Sequence, residues 1–143
     1  MWRIGEILIQ KKLISWDDLA KCLQEQSKTH EFLGEILVRK GLVPKTLFYK
    51  ALADQFNLKF LDLKRTHINP KAVEMIPKSI AQKYLMVPID MRDDTLIVGI
   101  SDPLKAWPAD EIKHFAKVKE IRSMLCLPEE IEQAIKEVYS EAV

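Results

Sequence analysis

Arg3 has the most suggestive chemistry in this chain, because its planar guanidinium can fork a phosphate or the O6 and N7 edge of a guanine. Two positions on, Gly5 has no Cβ, so a phosphate or base can approach backbone N–H groups at the start of a helix, where the dipole also favours an anion. Gly34 repeats that opportunity. Lys12 offers a point charge for phosphate, Phe32 a ring face for a base, and Gln26 and Gln55 amides that both donate and accept. Ile4 and Leu33 adjoin the two glycines, and Leu8, Ile9, Leu37 and Val38 present apolar surface suited to ribose and base. Packing is an equal use for the glycines and the better one for the leucines, since a layer of four helices buries leucine at these spacings and glycine lets two helices close together.

Chemistry of other kinds is missing. The four glycines, Gly5, Gly34, Gly41 and Gly99, form neither a P-loop nor a dinucleotide fingerprint, so no ATP hydrolysis and no catalytic residues are expected here. His30, His67 and His114 are too scattered for a zinc site, and no metal is expected. Asp93 and Asp94 fall at a hairpin tip, where aspartate suits turn geometry. Asp102, ahead of Pro103 and just past an apolar strand, stands where strand ends present polar groups to ligands, although a turn or cap uses Asp equally.

Composition sets the bounds. A chain of 143 residues, 48% apolar and 30% charged, can bury its own core and is neither disordered nor fibrous. Its 22 basic residues against 21 acidic give a net charge of +1, so any anion site must be local. Residues 1–56 carry nine basic and seven acidic side chains, a +2 that supplies little attraction for duplex DNA, and no nucleic-acid partner is expected. Cys22 and Cys126 each lie in an apolar pattern without a second ligand nearby, which fits a reducing compartment. No run of eighteen apolar residues offers a membrane span, so no direct membrane insertion is expected.

The elements that must position these groups are read from an internal repeat. Residues 3–14 overlay residues 32–43, and Gly34 minus Gly5 gives a period of 29 that also pairs Lys21 with Lys50, Leu23 with Leu52 and Gln26 with Gln55. Two motifs result, 3–26 and 32–55, separated by Ser27 to Glu31. Each reads as a short helix, a turn and a longer helix; Ser15 with Asp17 and Asp18 caps the longer helix in the first, and Pro44 suits the first helical position in the second. Gly41 can take a left-handed turn conformation cheaply, whereas Lys12 must bear strain or turn differently.

From residue 57 the pattern changes. Residues 57–63 alternate as a strand would; Asn69-Pro70 and Pro77 open short helices; residues 86–91 and 95–100 flank the turn at 92–94 as a hairpin. Pro108 opens a helix, Val118 to Leu125 a further strand, and Pro128 the last helix. The expected class is α+β: residues 1–56 as two repeated helical hairpins, then 57–143 as a small, sandwich-like α/β subdomain with a three- or four-stranded sheet.

The doubled spacing, Arg3, Gly5, Leu8, Lys12, Leu19, Leu23, Gln26 and Phe32, Gly34, Leu37, Gly41, Phe48, Leu52, Gln55, resembles the MshEN-type domain of type II secretion and type IV pilus assembly ATPases. Residues 76–84, 87–89 and 96–103 are similar to successive landmarks of that family's α/β half. The resemblance implies a cytoplasmic, non-catalytic regulatory and docking module, peripheral to the inner membrane through a partner. The partners implied are an inner-membrane platform protein and the ATPase domain of a parent chain. It also implies cyclic di-GMP as a ligand, held by the tandem motifs with Gln26 and Gln55 among the contacts, and no resident cofactor. Two positions depart from the family pattern, Phe32 where a basic residue is typical and Lys12 where glycine is. Losing a bidentate fork at the first costs on the order of 1–3 kcal/mol. The alternative is a docking module without nucleotide, with Trp2, Trp16 and Trp107 as interface anchors.

Overall fold

The period of the sequence becomes a period of helices. The computed structural model describes residues 4–139 and places α1 at Ile4–Gln10, α2 at Trp16–Thr29, α3 at Leu33–Arg39 and α4 at Lys45–Gln55. Both ends of α3 and the start of α4 lie 29 residues beyond their counterparts, at 33 against 4, 39 against 10 and 45 against 16. These helices make up one compact unit, Met1–Asn57; Leu58–Val143 makes up the other.

The turns repeat as closely as the helices. Lys12 adopts φ 61° and Gly41 φ 72°, so lysine occupies the left-handed position that glycine occupies in the second motif. The Leu13 N–H donates to the Leu8 carbonyl at 2.9 Å, and the Leu42 N–H to the Leu37 carbonyl at 3.0 Å, the six-to-one bond that closes a helix end. A side chain in this conformation costs roughly 1–2 kcal/mol, part of which a glycine returns as unfolded-chain entropy. Lys12→Gly is therefore expected to stabilise the first unit by about 0.5–1 kcal/mol and Gly41→Ala to destabilise it by about 1 kcal/mol, read from urea midpoints. Equal effects of the two changes would contradict this reading.

The longer helices start differently. Ser15 and Asp18 form a reciprocal capping box, Asp18 N–H to Ser15 Oγ at 3.1 Å and Ser15 N–H to Asp18 Oδ2 at 3.2 Å. Pro44 stands one position earlier than expected, at the N-cap rather than inside the helix, with ψ 141° and no side-chain hydrogen bond to give. Nor is the interval between motifs a simple linker: α2 runs through Thr29 and ends at His30 in a left-handed conformation, its N–H on the Gln26 carbonyl at 2.8 Å. Within the unit α1 packs on α4 and α2 on α3, so each short helix takes the other motif's long helix as its main partner. Leu8, Ile36 and Leu37 are fully buried among Ile14, Leu19 and Phe48.

The second unit is α+β. β1 (Met86–Arg92) and β2 (Thr95–Ile100) form the expected hairpin, with Asp93 at φ 53° in its tip. β3 (Glu120–Leu125) joins β2 in parallel, Thr95 opposite Glu120 through Ile100 opposite Leu125, giving a three-stranded sheet of order β1-β2-β3 among the described residues. The parallel return is carried by α7 (Ala109–Ala116), because parallel neighbours need a crossover. Residues 57–63 do not form the expected strand. Their alternation yields one isolated bridge, Phe60 with Leu125, before the chain turns into a 3-10 helix at Leu63–Arg65 capped by Asp62.

Two short helices, α5 (Pro70–Val73) and α6 (Lys78–Tyr84), precede the sheet, and α8 (Pro128–Val138) follows it. Asn69 caps α5 and donates from Nδ2 to Asp90 Oδ1 at 3.1 Å, fixing that helix to β1. Asp90 is held below the usual carboxylate range by this bond first, then by the Met91 N–H. Beyond α8, the buried Tyr139 hydroxyl donates to the Ile76 carbonyl at 2.7 Å.

Candidate functional site

Gly5 and Gly34 have the same structural role. A Cβ built on Gly5 would lie 2.8 Å from Leu19 Cδ1, and one on Gly34 would lie 2.5 Å from Phe48 Cε2, residues that are themselves 29 apart. Each glycine is a seat for the large side chain at the fourth position of the following helix. Close helix packing thus uses both glycines. Leu8 and Leu37, also expected near a ligand, are both 0% exposed and pack in the core.

The exchange of helix partners is marked by ion pairs. Lys11 Nζ lies 2.7 Å from Asp54 Oδ2, joining α1 to α4; Lys40 Nζ lies 3.5 Å from Glu25 Oε1, joining the end of α3 to α2. The pairs are equivalent under the repeat, since Lys40 is 29 beyond Lys11 and Asp54 is 29 beyond Glu25. Arg39 reinforces the second, with Nη2 2.8 Å from Glu25 and 3.0 Å from Glu31. Partial desolvation tends to raise the Glu25 carboxyl, but the Arg39 hydrogen bond and the Lys40 charge outweigh it and hold the group below its usual value. Exposed pairs of this kind contribute little stability each, and what they specify is which helix ends meet. Sequence reasoning missed all six of these side chains, although Lys at 11 and 40 and acids at 25 and 54 recur at the motif period.

Two composite candidate half-sites follow. One combines α1 and its turn, with Ile4, Ile9 and Lys12, with the end of α4, where Gln55 follows Asp54. The other combines α3 and its turn, with Phe32, Leu33, Val38 and Gly41, with the end of α2, where Gln26 follows Glu25. Gln55 Oε1 is buried and has no hydrogen-bond partner among the described residues, an acceptor that favours a donor brought from outside. Gln26 is partly buried; Lys12 and Phe32 are exposed, Phe32 to 75%. Ile4, Ile9, Leu33 and Val38 are half-buried on the core's edge. Arg3 and Trp2 lie outside the described residues. Asp102, in the other unit, is exposed and accepts from the Leu104 N–H at 2.9 Å, a local turn bond.

A protein-family model for the MshEN domain matches residues 56–143. That span takes in the α/β unit; the tandem motifs are covered by longer alignments. The chain is 30% identical over 139 residues to the type IV pilus assembly ATPase PilB of Myxococcus xanthus, covering 97% of this chain and 24% of that protein. It is 36% identical over 138 residues to the PilB of Thermus thermophilus, covering 96% of this chain and 15% of that protein. It therefore spans a quarter or less of these relatives. Among solved structures, MshE with cdg matches with a TM-score of 0.87 at 24% identity, covering 97% of this chain and 100% of that one. The N-terminal domain of XpsE matches with a TM-score of 0.64 at 22% identity, covering 94% of this chain and 92% of that one. These two likenesses establish the α+β fold of the chain.

Proposed function

The chain belongs to the MshEN domain family, and on that basis we propose that it is the non-catalytic regulatory and docking module of a type IV pilus or type II secretion assembly ATPase, and that its tandem motifs bind cyclic di-GMP. The observation that carries the ligand is the repeated geometry of the first unit. Equivalent helices, left-handed turns, glycine seats and ion pairs build two similar half-sites, each from both motifs. A cyclic dinucleotide has two equivalent halves, so the same contacts can be made twice. The MshE structure with cdg, so similar in fold, supports the same ligand.

In this reading Arg3 forks a guanine edge or phosphate, Lys12 adds a point charge, and the orphaned Gln55 acceptor takes a donor from the guanine edge. Gln26 acts at the second half-site with Phe32. Ile9 and Val38 meet the ligand's apolar faces, with Leu8 and Leu37 supporting them from the core. Gly5 and Gly34 contribute by drawing the helices together, Gly41 by its turn, and Asp102 is assigned to its own loop.

Isothermal titration of the full chain with cyclic di-GMP, with GTP as a control, tests the proposal. Saturable 1:1 binding is expected, weakened about tenfold or more by Arg3→Ala, as loss of a bidentate contact requires. Absence of heat near millimolar ligand would refute the nucleotide reading.

A second reading then holds: a docking module for the cytoplasmic domain of an inner-membrane platform protein. Trp16 at 67% exposure and Leu23 at 46%, seven residues apart on α2, favour it as protein-facing anchors. Either role places the chain in the cytoplasm, reaching the membrane through its partner, and no helix among the described residues is long and apolar enough to cross one.

A further inference from the structure

The two half-sites differ at their heads, and, resting on the cyclic di-GMP reading, we infer that Phe32 makes the second half-site tolerant of the base it holds, so that this chain accepts a mixed guanine–adenine cyclic dinucleotide about as well as cyclic di-GMP. The repeat itself states the asymmetry. Position 3 is arginine and position 32, 29 residues on, is phenylalanine; position 12 is lysine and position 41 is glycine. Both cations of these two position pairs therefore belong to the first motif.

A guanidinium fork reads the two acceptors, O6 and N7, that guanine presents; adenine puts an amino donor where O6 would be and is rejected. An aromatic ring reads nothing of that kind, because every base has a π-face and stacking tolerates any of them. Phe32 is placed for stacking rather than for the core. It is 75% exposed, stands at the N-cap of α3 with extended backbone (φ −66°, ψ 141°) and makes no side-chain capping bond.

The other polar group of that half-site does not restore discrimination. The Gln26 amide can turn to offer its N–H to the guanine O6 or its oxygen to the adenine amino group. At the turn, Gly41 has open space, with nothing within 4 Å of where a Cβ would be, so no side chain there reads the base. Base reading thus falls to the Arg3 half-site alone, which demands one guanine and leaves the second base free.

Calorimetric titrations of the full chain with cyclic di-GMP, 3′,3′-cyclic GMP–AMP and cyclic di-AMP decide the matter, using wild type, Phe32→Arg and Phe32→Ala. The expected wild-type affinities for the first two ligands agree within about threefold, with cyclic di-AMP about tenfold or more weaker, from one lost fork. Phe32→Arg should open a gap of about tenfold or more in favour of cyclic di-GMP. Phe32→Ala should weaken both guanine-containing ligands together, by about tenfold, through lost stacking. A wild-type preference for cyclic di-GMP over the mixed ligand of tenfold or more would overturn the inference while leaving the ligand class intact, as would Phe32→Ala moving neither affinity. Absence of binding by all three would remove the functional reading and this inference with it. Phe32 is exposed, so both variants should keep the fold, checked by circular dichroism.

Discussion

Gly34→Ala is expected to destabilise the tandem-motif unit by about 3 kcal/mol, and Gly5→Ala by less than about 1 kcal/mol, although the two positions are equivalent in the repeat. The difference lies in what fills each seat. At Gly34 an added methyl would meet a flat ring, 2.5 Å from Phe48 Cε2 and 3.0 Å from Cε1, and that ring is 8% exposed and packed edge-on against Tyr49 at 5.6 Å. A buried, flat ring with a second ring against it has little room to turn out of the clash, so α3 must move. At Gly5 the nearest atoms are the two methyls of Leu19, at 2.8 and 3.2 Å, the far end of a side chain with other rotamers. Urea denaturation followed by far-ultraviolet circular dichroism gives both numbers. The double change Gly34→Ala with Phe48→Leu recreates the environment of the first motif, and should recover part of the loss. Equal costs at the two glycines, or no recovery, would show that ring rigidity is not the cause.

Raising the pH from 8 to 10 is expected to cost the α/β unit about 1.4 kcal/mol through Cys126 alone. This thiol is 0% exposed, at the end of β3 beneath Gly99, where a Cβ would come within 2.9 Å of Sγ. Burial pushes it from an ordinary 9.0 to about 12, with the Glu130 charge adding to the shift. A folded-state value above the unfolded one means that the stabilisation is complete below pH 9 and is lost as the pH rises toward 12, because only the unfolded chain ionises in that window. Tyr139, raised by burial in the same sense, adds to the loss above pH 10. The check is the change in unfolding free energy between pH 8 and 10, in wild type and in Cys126→Ala. The variant should show a shallower decline by about 1.4 kcal/mol, and an unchanged slope would exclude the thiol as its source.

Much of the fold was legible because it is local. Apolar residues at helical spacing, Ser15 with Asp18, Asn69-Pro70, and the polar tip at 92–94 each act over a few residues, and each produces its element where expected. The strand expected at 57–63 fails for a non-local reason: alternation makes a segment able to pair, and only Phe60 finds a bridge, with Leu125. Pro44 moves to the N-cap because helix starts are set by where the first turn closes, which proline permits at either position.

The candidate site divides on the same line. Its residue types, its doubling and its period of 29 were determined by the sequence alone, since a repeat needs no partner to be read. Which helix each motif would pack against was decided only in the tertiary structure. There α1 lies on α4 and α2 on α3, Lys11 meets Asp54, Lys40 meets Glu25, and the two motifs share both candidate half-sites. Periodicity specifies which face of a helix is apolar and is silent about whose face covers it. That choice is made by the fit of whole surfaces, by a leucine in one glycine seat and a phenylalanine in the other.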